Sequence, residues 1–354
     1  MRLRYRVPDY YQQFICLAGE CPNTCCAGWQ IEIDEESLIK YIKYQNSGQP
    51  FGNRLFNGID WKQGSFRQDA EKRCEFLNQE NLCEIYSEAG KHMLCQTCRT
   101  YPRHIEEFEG IWEISLALSC PEAARIILEK EDRVTFSEEE KNRPADQYQT
   151  FDVDLFSELI KTRQYLFEII QNRNIPMNDR IANMLSYVYN GVQNASNQSG
   201  YFLLQQIWQL FRTELEVLND AWPVYLDKCM KILYDAGEER YLEWKRKFLI
   251  NYQDWEIECE QLLIYWIYTY YAGAVYDGNP YVKLKLAVIS TLLLRELDIA
   301  RYIETKGIFT KADQIEICMR YSREIEHSEE NLNCMEKMLQ EEELFNLRNL
   351  LEII

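Results

Sequence analysis

The chain has 354 residues, 46% of them hydrophobic, with 57 acidic and 39 basic side chains and a formal net charge of −18. That apolar content supplies a buried core and excludes a disordered chain. A surface this acidic repels phosphates and excludes a nucleic-acid-binding role, and it suits a cationic, lysine-bearing partner.

The N-terminus, MRLRYRVPDYYQQF, has no apolar run of the kind a signal peptide needs. Gln30 to Asp34 alternate like a short strand, and Asp34 stands as an N-cap for the helical pattern EESLIKYIKY. Residues 46–68 are rich in Gly, Asn and Gln and read as a loop. Ile111 to Cys120 reads as a strand, and Pro121 then opens a helix at its first position. The polar stretch 131–150 reads as a linker, in which Ser137 and Glu140 could form a capping box. From Phe151 to the end, apolar residues recur three and four apart, which predicts an all-α domain. Gly237 marks a helix stop and Asn279-Pro280 a helix start. The most apolar stretch, Leu262 to Val275, falls short of the roughly 20 residues a bilayer needs and predicts a buried helix. The expected architecture is mostly α. A small cysteine-rich metal-binding module (1–130) precedes an all-α helical domain (151–354), and the expected location is cytoplasmic.

Nine of the thirteen cysteines lie at or before position 120. Cys16, Cys21, Cys25 and Cys26 fall within FICLAGECPNTCCAGW, Cys74 and Cys83 bracket CEFLNQENLC, Cys95 and Cys98 form a C-x-x-C, and Cys120 sits in LSCPEAAR. In a reducing cytosol such clustering points to metal binding or thiol chemistry. Zinc sites usually take two C-x-x-C or C/H pairs. Here one pair has that spacing, and the chain has only His92, His104 and His327. A centre held by cysteines alone, an iron–sulfur cluster, fits this donor set better. Zinc, mononuclear iron and metal-free thiols are the alternatives. Adjacent Cys25 and Cys26 point apart in an extended chain, so both need not ligate one iron. The later Cys229, Cys259, Cys318 and Cys334 sit in apolar helical stretches and read as small buried hydrophobes. Neither a Gly-rich nucleotide loop nor a Walker A motif occurs.

Four strings carry a family resemblance: F-x-C-x4-C-x3-C-C-x-G-W-x-I from Phe14, C-x-F-L-x5-L-C from Cys74, T-C-R-x-Y-P-R from Thr97 and S-L-x-L-S-C-P-E-x-A-R from Ser115. Together they resemble the flagellin lysine N-methylases and the broader zinc- or iron-chelating proteins with a C-x-x-x-C-C core. The resemblance covers residues 14–128. It implies a protein-lysine N-methyltransferase that methylates flagellin ε-amines, with S-adenosyl-L-methionine as donor and a cysteine-bound [4Fe-4S] cluster in the N-terminal module. The cysteines it shares are Cys16, Cys21, Cys25, Cys26, Cys74, Cys83, Cys98 and Cys120, with Cys95 ranked below them. Tyr101, Glu113 and Glu122 are candidates to orient the amine, and Arg99, Arg103 and Arg125 to pair with the donor or offset thiolate charge. A non-catalytic chelator and a thiol redox protein are the competing functions.

Overall fold

The computed structural model describes residues 2–144, 151–189 and 198–354. A sheet has the strand order β4-β5-β1-β6, with β1 at Arg2–Pro8, β4 at Arg103–Phe108, β5 at Ile111–Leu116 and β6 at Phe136–Pro144. The small ribbon β2 (Ile59–Asp60) and β3 (Ser65–Phe66) stands apart from it. Strand β1 runs parallel to β5 and antiparallel to β6. The helices of the first part are α1 (Glu35–Asn46), α2 (Gly52–Asn57), α3 (Gln96–Thr100) and α4 (Pro121–Leu128). Helices α5 (Val153–Ile170), α6 (Met177–Val188), α7 (Gly200–Glu214), α8 (Ala221–Tyr234), α9 (Glu238–Asn251) and α10 (Trp255–Tyr270) follow, then α11 (Ala274–Asp277), α12 (Pro280–Glu304), α13 (Lys311–Ile325), α14 (Glu329–Glu341) and α15 (Leu347–Ile353). The architecture is mostly α, with the cysteine-rich part at the N-terminal end.

Several local expectations hold. Asp34 caps α1 by accepting the Ser37 N–H at 2.9 Å. Pro121 and Pro280 each stand in the first turn of their helix. Helix α10 is buried on all sides from Glu258 to Thr269, its apolar residues in the core and its buried Glu260 paired with Arg173 and Arg180. Gly237 lies between two helices with φ +83°, a conformation glycine adopts at low cost, and caps the start of α9.

Other expectations are corrected. Residues 46–68 contain α2, β2 and β3 rather than a plain loop. Gln30 to Asp34 contribute a single bridge, Glu32 to Ser65, rather than a strand. The polar stretch after residue 130 forms strand β6 over Phe136–Pro144, so Ser137 and Glu140 cap no helix, while 145–150 lie outside the described residues. The reason is long-range charge pairing: Arg2 meets Glu140 at 2.8 Å and Arg4 meets Glu138 at 3.0 Å. Cross-strand opposite charges stabilise such a pair modestly.

Two apolar cores result. The larger takes in the sheet's Phe108, Ile111 and Leu116, helix α4 and the helical domain. The smaller is built from Ile31, Tyr41, Leu55, Phe66, Phe76, Met93 and their neighbours. The N-terminal 130 residues therefore divide between both cores. Under the sheet, Glu113 is clamped by Arg163 from α5 at 2.6 and 2.5 Å and by Arg6 at 2.9 Å. Both Glu113 and Arg163 are buried. Removing one partner of such a pair leaves an uncompensated charge. Glu113→Ala is expected to lower stability by about 3–5 kcal/mol, read as a fall in the urea midpoint. An unchanged midpoint would refute this account of the sheet–helix joint.

Candidate metal centre

The nine early cysteines come from five chain segments: Cys74 and Cys95 lie in the small core, with Cys26, Cys83 and Cys98 packed against it, and Cys120 lies in the large core. The first segment, around Cys16 and Cys21, is two short turns. The Ala18 N–H points at Cys16 Sγ, 3.4 Å away. Gly19 lies so close to the Glu80 carbonyl that a Cβ there would stand 2.8 Å from it, which seats this segment on the turn before Cys83.

Cys25 and Cys26 lie in a turn, not in extended chain, and their thiols lie close enough that Cys25 holds Cys26 below its ordinary value. The expectation that they point apart is therefore corrected. The Trp29 indole N–H donates to the Cys25 carbonyl at 2.8 Å, and the Cys74 N–H donates to the Cys26 carbonyl at 2.7 Å. Gly28, at φ +90°, lets the chain turn beside Arg73 as Ala27 bridges to it.

Cys83 pairs with Leu77 across a tight hairpin, and Cys74, just before it, pairs with Gln68. The hairpin turn is fastened by Asn78 Oδ1, which accepts from Glu80 N and Leu82 N at 2.9 Å each. The Cys74 thiol receives the Phe76 N–H, and the Cys83 thiol those of Tyr86 and Ile85. Cys95 caps α3, is fully buried and hydrogen-bonds with Cys98 one turn on. Cys95 thus packs in the small core with Cys74, and Cys26, Cys83 and Cys98 pack against the same core. Cys120 stands at the start of α4, where Glu122 and Ala123 N–H groups point at its thiol.

Burial pushes the Cys74 thiol up to about 12 and the Cys120 thiol up to about 11. Cys26 is shifted downward because it accepts from Cys25, with Arg73 adding to the effect. All thirteen cysteines are free thiols. Among the described residues no three His, Cys, Asp or Glu side chains already stand close enough to hold one ion. The donor chemistry fits a soft metal or an iron–sulfur cluster: many neighbouring thiols, backbone N–H groups aimed at sulfur, and flanking arginines.

The helical domain closes one side. Arg323 of α13 donates to the Ser119 carbonyl at 3.1 Å and to the Asn23 carbonyl at 2.8 Å. His327 Nε2 lies 2.9 Å from Ser119 Oγ, which in turn lies 3.2 Å from Tyr101 Oη. Trp29 packs against His327, with ring centroids 4.7 Å apart. Burial and the Arg323 charge lower His327 to about 4, so its imidazole stays neutral. These contacts link positions more than 200 residues apart, and no local motif in the sequence announces them. Of the other expected residues, Tyr101 reaches this junction. Glu113 is used by Arg163 and Arg6, Glu122 pairs with Arg125 at 2.7 Å, and Arg103 packs on Tyr11 and Phe14. Among the later cysteines, Cys229, Cys259 and Cys318 are buried in the helical core.

A groove of about 420 Å³ beside α3 is lined by Glu32, Asp34, Gln96, Thr97, Tyr101 and Arg103. A larger cavity of about 770 Å³ lies within the helical domain, against Arg173, Tyr252, Trp255, Glu256 and Arg295. The smaller groove is the one that adjoins the thiols, through α3 between Cys95 and Cys98.

Residues 189–353 match the FliB lysine N-methylase C-terminal domain, and residues 15–115 match the "Putative zinc- or iron-chelating domain". Two similar proteins are a lysine-N-methylase from Salmonella typhimurium and one from Salmonella choleraesuis, each 28% identical over 137 residues, covering 37% of this chain and 34% of the relative. A flagellar biosynthetic protein FliU from Salmonella muenchen is 26% identical over 137 residues, covering 37% of this chain and 80% of the relative. The chain thus spans about a third of the length of the two methylases, by the 34% matched. No solved structure matches it.

Residues that hold ligand-bearing loops in place typically cost 10–100-fold in metal affinity when lost. Arg323→Ala is expected to weaken metal retention by about that factor and to speed alkylation of Cys21 and Cys120. Alkylation followed by peptide mass mapping checks this. Unchanged rates at both cysteines would show that Arg323 does not brace the site.

Proposed function

We propose that this chain, which belongs to the FliB lysine N-methylase family, is a metal-dependent protein-lysine N-methyltransferase whose substrate is flagellin and whose methyl donor is S-adenosyl-L-methionine. The observation that carries the reading is a set of nine free cysteines in the first 120 residues, five of them in or against the small core, beside a junction at which Trp29 and Tyr101 meet His327 of the helical domain. In this reading residues 1–130 supply the metal module and 151–354 the helical body. The metal is a [4Fe-4S] cluster, with zinc as the alternative. Its ligands come from Cys16, Cys21, Cys25, Cys26, Cys74, Cys83, Cys98 and Cys120, and Cys95 joins them.

A cluster, when bound, supplies a Lewis-acidic or redox-active iron and ties the cysteine loops together. The chain's own residues do the rest. Lysine has a pKa near 10.4 and must lose its proton before it can attack a methyl group. The groove beside α3 presents Glu32 and Asp34 to an incoming ammonium and leads to Tyr101. Burial raises the Tyr101 pKa, so its hydroxyl stays protonated and able to donate. The junction of Tyr101, Trp29 and His327 withdraws the amine from water, which favours its neutral form. Holding amine and sulfonium in line then accounts for much of the rate. The net charge of −18 favours encounter with a lysine-bearing surface. No helix among the described residues is long and apolar enough to cross a membrane.

Oxygen-free protein incubated with flagellin and S-adenosyl-L-methionine is expected to raise the flagellin mass by one methylene per modified lysine. It should also contain iron and acid-labile sulfide. Bound metal with no mass gain would identify a non-catalytic chelator instead, and absence of both would leave a thiol redox protein.

A further inference from the structure

Helix α1 turns one face to the small core and leaves the other in water. Tyr41 is fully buried in that core, and Leu38 and Tyr44 pack against it. Lys40 reaches inward as well, and its ammonium donates to the carbonyls of His92 at 3.1 Å and Leu94 at 3.4 Å. Glu35, Ile39, Ile42 and Asn46 are spaced four, three and four apart and so share one stripe of the outer face, with Lys43 at its edge. All four are exposed. Ile39 is 46% exposed and Ile42 41%, so two neighbouring isoleucines stand uncovered on a helix whose other face is fixed.

The stripe begins at the groove beside α3. Asp34 is both the N-cap of α1 and a wall of that groove, held by the Ser37 N–H at 2.9 Å and the Gln96 N–H at 2.7 Å. At a rise of about 1.5 Å per residue, Ile39 stands about 8 Å and Ile42 about 12 Å along the helix from Asp34. Glu32, Glu35 and Glu36 surround the near end and are exposed. Among the described residues no cation pairs with any of these three. The surface that leads away from the groove is therefore acidic first and apolar beyond.

We propose that the outer stripe of α1 is the docking surface for the protein substrate, a segment that carries a lysine for the groove and an apolar side chain about 12 Å from it. The proposal rests on the lysine-methylating reading above and names what selects one lysine over another. The groove by itself offers carboxylates to any ammonium, free lysine included. The unpaired acidic side chains match the charge of a lysine-bearing segment and steer it to this end of the helix. The two isoleucines then give an apolar neighbour of that lysine a place out of water. Because the inner face of α1 is packed, the distance from groove to isoleucines is fixed. A segment with its apolar residue elsewhere loses the contact, which is discrimination by position.

The test uses the full chain purified without oxygen, with flagellin and with a lysine peptide too short to reach α1. Ile39→Ser/Ile42→Ser is expected to raise KM for flagellin about tenfold at unchanged kcat, and to leave KM for the short peptide and the metal content as they were. Flagellin binding measured by fluorescence anisotropy, without methyl donor, should weaken by the same factor. Ile250→Ser on α9, at a position 57% exposed, should change neither quantity. Unchanged KM and affinity in the α1 variant overturn the proposal, and so does an equal loss with the short peptide or with Ile250→Ser. A fall in the protein's own mass in solution on the α1 substitutions would assign the stripe to a second copy of this chain and overturn it too. Wild-type protein that binds flagellin through α1 but transfers no methyl group would sink the methyltransferase reading and leave the docking surface standing.

Discussion

Buried thiols cannot ionise side by side without a cation, and the rest of this structure is arranged around that constraint. Desolvation raises Cys74, Cys98 and Cys120, and neighbouring thiols raise them further. Left alone, these groups keep their protons and behave as small apolar side chains. Yet the backbone around them is organised for the ionised form. N–H groups of Phe76, Tyr86 and Ala123 aim at sulfur, and Arg73 and Arg323 stand close by. Such donors stabilise thiolate over thiol. A soft metal resolves the conflict by replacing several protons at once, and its binding free energy then contributes to folding of the small core.

The fold meets the same constraint from the other side. The β5–α4 connection places Cys120 in the large core, and Arg323 of α13, with His327 in the turn that follows it, holds the neighbouring Ser119. The sheet is anchored to α5 through buried Glu113 and Arg163, so the connection starts from a rigid base. The Ser119–Cys120 segment is therefore coupled to the helical domain, whereas Cys74 and Cys95 are themselves packing material of the small core. Loop closure entropy is limited because Cys74, Cys83, Cys95 and Cys98 lie within short chain distances of one another.

What the sequence made legible follows from how local each signal is. The cysteine groups, the Asp34 cap, the Pro121 and Pro280 helix starts and the apolar periodicity of the helical domain are all written in neighbouring residues. Strand β6 was hidden because FSEEEKNRP has no apolar alternation, and its place in the sheet depends on Arg2, Arg4 and Arg6 more than 130 residues away. The Cys25–Cys26 contact depends on a turn that the pattern C-C does not encode. Arg323 sits in an ordinary helical stretch and His327 in the turn after it, and both gain their significance only when α13 docks on α4. Scarcity of histidine directs attention to the cysteines and conceals the one imidazole that meets the junction.

That imidazole bears on how the proposed chemistry avoids a contradiction. An acidic surface draws lysine in but stabilises its protonated form, which cannot attack a methyl group. Transfer requires the opposite environment at the reacting end. His327 reports what that environment is: burial first, and then the positive charge of Arg323, push it down to about 4. A lysine amine entering the same junction is subject to the same two effects, and both favour its neutral form. Carboxylates at the groove mouth and a desolvated, arginine-flanked interior are thus complementary. The first attracts the cation and the second favours its neutral form, the proton passing to solvent, with Glu32, Asp34 and Tyr101 lining the groove and Trp29 and His327 packed against Tyr101.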